Sequence, residues 1–272
     1  MTMEQHITTR TLLKMKQDGQ KINCVTAYDA IFGRIADEAG MHVVLVGDSA
    51  GSTVLGYGST IPVTMEESIM LTKAVSRGVH HAMLVGDMPF MSYQANPDDA
   101  ILNAGRYLKE CNADAIKLEG GVTVLPLIKR MVTAGIPVMA HIGLLPQSVL
   151  KDGGYRSHGK TEAEAKQLME DALAVQEAGA FSVVLECIPA ELAKKITKKL
   201  SIPTIGIGAG PSCDGQIQVI TDILGLGGAF VPKHARQFAQ LAKTAKNALQ
   251  TYAQEVENGT FPAEENTIHL KK

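Results

Sequence analysis

Val43-Val44-Leu45-Val46-Gly47-Asp48-Ser49 is a short apolar run that stops at a Gly-Asp pair. The same move recurs at Met83-Leu84-Val85-Gly86-Asp87. A run that is apolar at nearly every position and rich in β-branched residues reads as a strand buried on both faces. In an α/β fold, a carboxylate just past the end of such a strand stands where the chemistry is placed. Two strands of this kind bring Asp48 and Asp87 to one rim, which begins a site for a hard cation.

Outward from these runs, strand-like and helix-like stretches alternate along the chain. Thr9 to Gln17 is an amphipathic helix, and Lys21 to Tyr28 is strand-like. Asp29 caps a helix over Ala30 to Ala39 that Gly40 closes. After the strand His42 to Val46, a long polar loop runs from Asp48 to Pro62. Thr64 and Glu67 form a capping box for a helix to Val75. Strands follow at His81 to Val85, Ala115 to Leu118, Ile136 to Ala140, Phe181 to Leu185 and Pro203 to Ile207. Helices are expected between them, starting at Asn96 or Pro97, Val124, Thr161 and Ala190. A further helix is expected over Gln216 to Leu224, a short eighth strand over Ala229 to Val231, and a last long helix over Phe238 to Asn258.

Eight β/α units in a chain of 272 residues match the size of a (β/α)8 TIM barrel, here one domain over residues 1–272 with a short N-terminal helix. An open doubly wound sheet is the alternative, but it usually carries a glycine-rich turn after its first strand. Here the first strand ends in Thr26-Ala27-Tyr28-Asp29. With no tryptophan and only 4% aromatic residues, the core must be aliphatic, as in helix-covered parallel sheets. The formal charge of −2 and the absence of long charged blocks give no support to nucleic-acid or membrane-surface binding. Apolar runs fall well short of a bilayer span, and Met1 to Arg10 lacks the apolar core of a signal peptide. Four separated cysteines without a C-x-x-C pair read as reduced thiols of a cytoplasmic protein.

The expected strand ends carry Asp29, Asp48, Asp87, Glu119, His141 and Glu186. Helix capping accounts well for Asp29 and poorly for the rest, because Asp48 and Asp87 precede loops and Glu119 and Glu186 are weak caps. Side chains two apart share a strand face, so Lys117 and Glu119 point together, toward the barrel axis, while Ile116 and Leu118 face the helices. A lysine inside a barrel needs anionic company. It is either one half of a core ion pair or an anchor for a substrate carboxylate or phosphate. Asp48, Asp87 and Glu119 bring three negative charges against one from Lys117, a remainder near that of a divalent cation. Oxygen donors with open water positions favour Mg²⁺ over Zn²⁺. Glu186 follows an apolar strand, so desolvation is expected to move it toward the range useful to a base. His141 is a second proton handler, a hydrogen-bond donor or a satisfied rim histidine. Together these residues point to metal-assisted proton removal next to a carbonyl.

Two loops carry weaker signals. Gly206-Ile207-Gly208-Ala209-Gly210 reads as part of a phosphate turn or as room for a strand end to abut its neighbour. Lys151, Arg156, His158 and Lys160 lie around two glycines, in a solvated surface loop or a lid over an anionic substrate.

The runs Thr26-Ala27-Tyr28-Asp29, Val46-Gly47-Asp48-Ser49, Gly86-Asp87-Met88-Pro89-Phe90 and Lys117-Leu118-Glu119-Gly120-Gly121 resemble the ketopantoate hydroxymethyltransferase family. So do His141-Ile142-Gly143-Leu144, Pro146-Gln147-Ser148, Gly153-Gly154-Tyr155, Leu185-Glu186-Cys187 and Asp214-Gly215-Gln216. The resemblance implies a (β/α)8 enzyme of pantothenate synthesis. It would move a hydroxymethyl group from 5,10-methylenetetrahydrofolate to 3-methyl-2-oxobutanoate through a Mg²⁺-stabilised enolate, giving 2-dehydropantoate. It further implies Asp48 and Asp87 as Mg²⁺ ligands in contact with substrate, with Glu119 at or near the ion. Ser49 and Lys117 would bind the oxo acid with His141 beside them, and Glu186 would accept the proton. The family also implies a homodecamer. Other readings are a Mg²⁺-dependent aldolase or lyase acting through an enolate without folate, and a barrel that binds metal or anions without turnover.

Overall fold

The computed structural model describes residues 6–227 and 231–270. The chain divides into two compact units, Met1–Ile220 and Thr221–Lys272. In the first, eight parallel strands close into a barrel in sequence order: β1 (Ile22–Thr26), β2 (Val43–Val46), β3 (Met83–Asp87), β4 (Ala115–Glu119), β5 (Val138–Gly143), β6 (Ser182–Glu186), β7 (Thr204–Ile207) and β8 (Gly215–Gln218). Helices α1 (Thr9–Gln17), α2 (Ala30–Glu38), α3 (Ala50–Thr53), α4 (Met65–Ser76), α5 (Pro97–Cys111), α6 (Leu125–Thr133), α7 (Glu162–Glu177) and α8 (Ala190–Lys199) precede or connect the strands, with both α3 and α4 between β2 and β3 and no helix between β7 and β8. The short α9 (Ile220–Ile223) follows β8. In the second unit, α10 (Leu241–Glu257) carries Tyr252, whose ring meets Phe261 edge-on at 5.5 Å. Among the described residues no helix is long and apolar enough to cross a membrane.

The expected caps form. Asp29 Oδ1 accepts from Phe32 N at 2.8 Å, and Thr64 with Glu67 makes a reciprocal capping box; the helix starting at Thr161 carries a second one, Thr161 with Glu164. The interior parity also holds. Val43 and Leu45, Met83 and Val85, Ala115, Met139, Val184, Ile205 and Ile217 share one buried cluster with Leu12 and Met15 of α1. The apolar face of α1 is thus buried together with the inward side chains of the strands. Two residues further along, the same inward rows reach Asp87, Lys117, His141 and Glu186, so the barrel interior turns from apolar to ionised along its axis.

The eighth strand departs from expectation. The barrel closes on Gly215–Gln218, which pairs with both β1 and β7, where a helix over Gln216 to Leu224 was expected. Only the short α9 forms inside that span. Of the expected strand Ala229 to Val231, residues 229 and 230 lie outside the described residues, and Val231 is in no strand. Glutamine is a good helix former, but here the pairing outweighs it, with Ile217 in the core and Gly215 against β1. A Cβ at Gly215 would lie 2.5 Å from Ile22 O, so only glycine closes this seam. The loop after Asp48 also differs, since it winds into the single turn α3.

Gly86 sets the approach of α5 to β3. A methyl there would lie 2.2 Å from the Tyr107 ring, whose hydroxyl donates to Asp87 O at 2.7 Å. Gly86→Ala should therefore destabilise the protein by about 1–3 kcal/mol through overpacking. Urea denaturation checks this, and an unchanged midpoint would mean that the contact is not tight.

Candidate active site

Register explains how the charged side chains meet. Asp87 of β3 stands opposite Lys117 of β4, and Glu119 stands opposite His141 of β5. Lys117 Nζ donates to Asp87 Oδ1 at 2.8 Å and lies 3.9 Å from Glu119 Oε1. All four of these residues are buried, as is Asp48. Asp48 follows β2, and its N–H donates to Asp87 Oδ2 at 3.1 Å. His141 bridges two acids, with Nδ1 3.5 Å from Glu119 Oε1 and Nε2 3.1 Å from Glu186 Oε2. Ser49 sits at the edge of the cluster, its Oγ 2.7 Å from the Tyr28 hydroxyl. Asp48, Ser49, Asp87, Lys117, Glu119, His141 and Glu186 therefore lie together at one end of the barrel.

The electrostatics follow from this crowding. Burial, then the charges of Asp87 and Glu119, push the Asp48 carboxyl well above the usual carboxylate range, against the pull of Lys117 and Gln147. Burial and Lys117 disfavour the His141 cation, but Glu119 and Glu186 outweigh them and raise its pKa to about 9. The ring is then an imidazolium at neutral pH. Lys117 is also raised, because three carboxylates outweigh the cost of burying it.

A hard cation fits this donor set. Glu119 Oε1 is buried and has no hydrogen-bond partner. His141 Nδ1 at 3.5 Å and Lys117 Nζ at 3.9 Å give this oxygen charge but no hydrogen bond, so a cation or donor coming closer would still be favourable there. The Asp48 carboxyl, held toward its neutral form, likewise gains from added positive charge. Among the described residues no three His, Cys, Asp or Glu side chains are arranged to enclose an ion. Lys117 sits on Asp87, and an amide sits on Asp48. Mg²⁺ suits such an open arrangement, since it commonly takes one or two carboxylates and completes its shell with water and substrate.

Three contributors were not assigned a role from the sequence: Tyr28, Tyr93 and Gln147. Tyr28 ends the β1 segment and receives a bond from Thr26 Oγ1 at 2.9 Å. Tyr93 lies in the irregular connection after β3, and Gln147 in the single 3-10 turn Pro146–Ser148 after β5. Periodicity says nothing about such segments, and the available signal was that Tyr28 and Gln147 fall within the runs Thr26-Ala27-Tyr28-Asp29 and Pro146-Gln147-Ser148 that carry the family resemblance. The basic loop after β5 does not offer all its charges to the site. Arg156 Nη1 lies 3.4 Å from Glu164, and His158 Nε2 lies 3.4 Å from Asp152. From the same loop, Tyr155 feels burial first and then Asp48, Glu186 and Glu119, all of which raise its pKa. The glycine turn after β7 fits the packing reading, because Gly210 abuts Ala190 and its carbonyl accepts from Gln216 Nε2 at 3.0 Å.

Fold and site together define a (β/α)8 barrel with a carboxylate, lysine and histidine centre at the carboxyl rim of its strands. Residues 6–264 match the model of the ketopantoate hydroxymethyltransferase family. The chain belongs to this family, and it is an enzyme of the transferase class. A 3-methyl-2-oxobutanoate hydroxymethyltransferase of Syntrophus aciditrophicus is 51% identical over 262 residues, covering 96% of each chain. Its counterpart in Desulforapulum autotrophicum is 54% identical over 264 residues, covering 97% of this chain and 99% of its own. A solved 2,3-dimethylmalate lyase of the PEP mutase/isocitrate lyase superfamily is similar in fold, with a TM-score of 0.59 and 16% identity over 96% of this chain and 91% of its own.

Proposed function

We propose that this chain transfers a hydroxymethyl group from 5,10-methylenetetrahydrofolate to 3-methyl-2-oxobutanoate, giving 2-dehydropantoate, the first committed step of pantothenate biosynthesis. One observation carries the reading: Glu186 Oε2 stands 3.1 Å from His141 Nε2, on the same rim as the buried Asp87–Lys117 pair. Family membership and the names of the relatives support the oxo acid and the transferred group.

In this reading Asp48 and Asp87 hold Mg²⁺, with Glu119 at or near it. When bound, the ion supplies positive charge that acidifies the C3 proton of the oxo acid. Lys117 offers its ammonium to the substrate carboxylate, and Ser49, held by Tyr28, offers its hydroxyl. Glu186 takes the C3 proton. The His141 imidazolium beside it orients the carboxylate and stays charged through the step. The substrate enolate then attacks the methylene carbon carried by folate as one carbon–nitrogen bond of the folate opens and takes the electron pair, and water breaks the second, supplying the hydroxyl of the product and releasing tetrahydrofolate. The apolar interior beneath the rim, with Val85, Met139 and Val184, keeps water from approaching from below.

The chain is further read as one domain over residues 1–272 and as a cytoplasmic homo-oligomer. The family resemblance supports a homodecamer. Metal titration by calorimetry tests the ligand assignment, with Asp48→Ala and Asp87→Ala each expected to weaken Mg²⁺ binding at least about 10-fold. Wild-type affinity in both variants would remove these two carboxylates from the metal site.

A further inference from the structure

Gln147 sits in the single turn Pro146–Ser148 just after β5, and it is buried. A side-chain amide has two N–H donors and a carbonyl oxygen with two lone pairs, and leaving any of them unmet in the interior is costly. All four are met here. Nε2 donates to Asp48 Oδ2 at 2.9 Å and to Met88 O at 2.9 Å. Oε1 accepts from the Tyr93 hydroxyl at 2.8 Å and from Gln94 Nε2 at 3.1 Å. These partners fix which end of the amide is which. A flipped amide would set its oxygen against the Asp48 carboxylate and the Met88 carbonyl. The backbone takes part as well, since Gln147 N donates to Glu119 Oε2 at 3.1 Å.

One residue therefore holds two acids that come from different strand ends. It takes one oxygen of Asp48 through its side chain and one oxygen of Glu119 through its main chain. The remaining oxygen of Glu119, Oε1, is the buried acceptor without a hydrogen-bond partner. Tyr93 closes the arrangement, because its hydroxyl also accepts from Glu119 N at 3.1 Å. A pure packing role would need none of this directionality, and an aliphatic side chain of similar volume would fill the space.

We propose that Gln147, oriented by Tyr93, is a positioning residue for the divalent cation: it holds the Asp48 and Glu119 carboxylates in the arrangement that receives the ion. This rests on the reading that these carboxylates serve a Mg²⁺ site. Partners that orient metal ligands from behind commonly contribute about 10–100-fold in metal affinity. The contribution of Gln147 is of this kind and comes before any substrate is bound.

The test is Mg²⁺ titration of the substrate-free protein by calorimetry, with thermal unfolding in EDTA run beside it. Gln147→Met keeps the volume and removes the amide. It should weaken Mg²⁺ about 10–100-fold. Tyr93→Phe removes only the orienting hydroxyl and should weaken binding by less. The double variant should bind no more weakly than Gln147→Met alone, because both act through one amide. Asp48→Ala separates the two layers of the argument. If it binds Mg²⁺ like wild type, Asp48 is not a metal ligand and the reading on which this proposal rests fails. If it loses Mg²⁺ while Gln147→Met binds as wild type, the positioning role is overturned and the metal site stands. If the two single variants show independent, additive losses, Tyr93 does not act through Gln147 and the linked arrangement is overturned. Should Gln147→Met fail to fold in EDTA, Tyr93→Phe decides: wild-type affinity in that variant overturns the proposal.

Discussion

Glu186→Gln is expected to slow exchange of the C3 proton of 3-methyl-2-oxobutanoate into deuterated water by about 10²–10⁴-fold, the usual contribution of a positioned base. Gln keeps the shape and the contact with His141 but cannot accept a proton. Mg²⁺ and oxo-acid binding should persist, because Glu186 is not among the proposed ligands of either. His141 should respond in a definite direction. The hydrogen bond to Glu186 is among the causes that raise its pKa to about 9, and a neutral amide oxygen is a weaker acceptor than a carboxylate, so the variant's imidazole should titrate at lower pH, which NMR can follow. Exchange at the wild-type rate would exclude Glu186 as the proton acceptor.

Lys117→Met is expected to lose about 3–5 kcal/mol of stability in the absence of metal, the typical cost of breaking a buried ion pair. Lys117 is the ammonium inside an acidic centre: 2.8 Å from Asp87 Oδ1, 3.9 Å from Glu119 Oε1, and itself buried. Without it, Asp87 and Glu119 face Asp48 with no internal ammonium. Mg²⁺ should return part of the lost stability, because it neutralises the same carboxylates. Urea denaturation with and without Mg²⁺ reads both effects. A metal-free variant as stable as wild type would show that Lys117 does not neutralise the centre.

The acidic rim was legible in the sequence because each of its acids ends an apolar, strand-like run. Apolar strand bodies ending at Asp48, Asp87, Glu119 and Glu186 could be aligned without knowing the fold. The parity of Lys117 and Glu119 followed from strand geometry alone. The pairings themselves required register, since Asp87 meets Lys117 and Glu119 meets His141 only once neighbouring strands are staggered in a closed barrel. Roles for Ser49 came from family resemblance, because a serine after an aspartate has no distinctive pattern. The eighth strand was hidden because Gly215-Gln216-Ile217-Gln218 offers a single apolar side chain, and its pairing with β1 brings together residues almost two hundred positions apart. Gln147 and Tyr93 were hidden for a related reason. Their partners lie across the rim on other loops, and no local pattern announces contacts of that range.

The central claim is that the barrel rim enolises the oxo acid as a step separate from one-carbon transfer. NMR of the C3 proton of 3-methyl-2-oxobutanoate in deuterated water, with enzyme and Mg²⁺ but without folate, tests it most directly. The account predicts exchange under these conditions and its loss on adding EDTA. An enzyme active in complete turnover that shows no exchange until folate is supplied would contradict it.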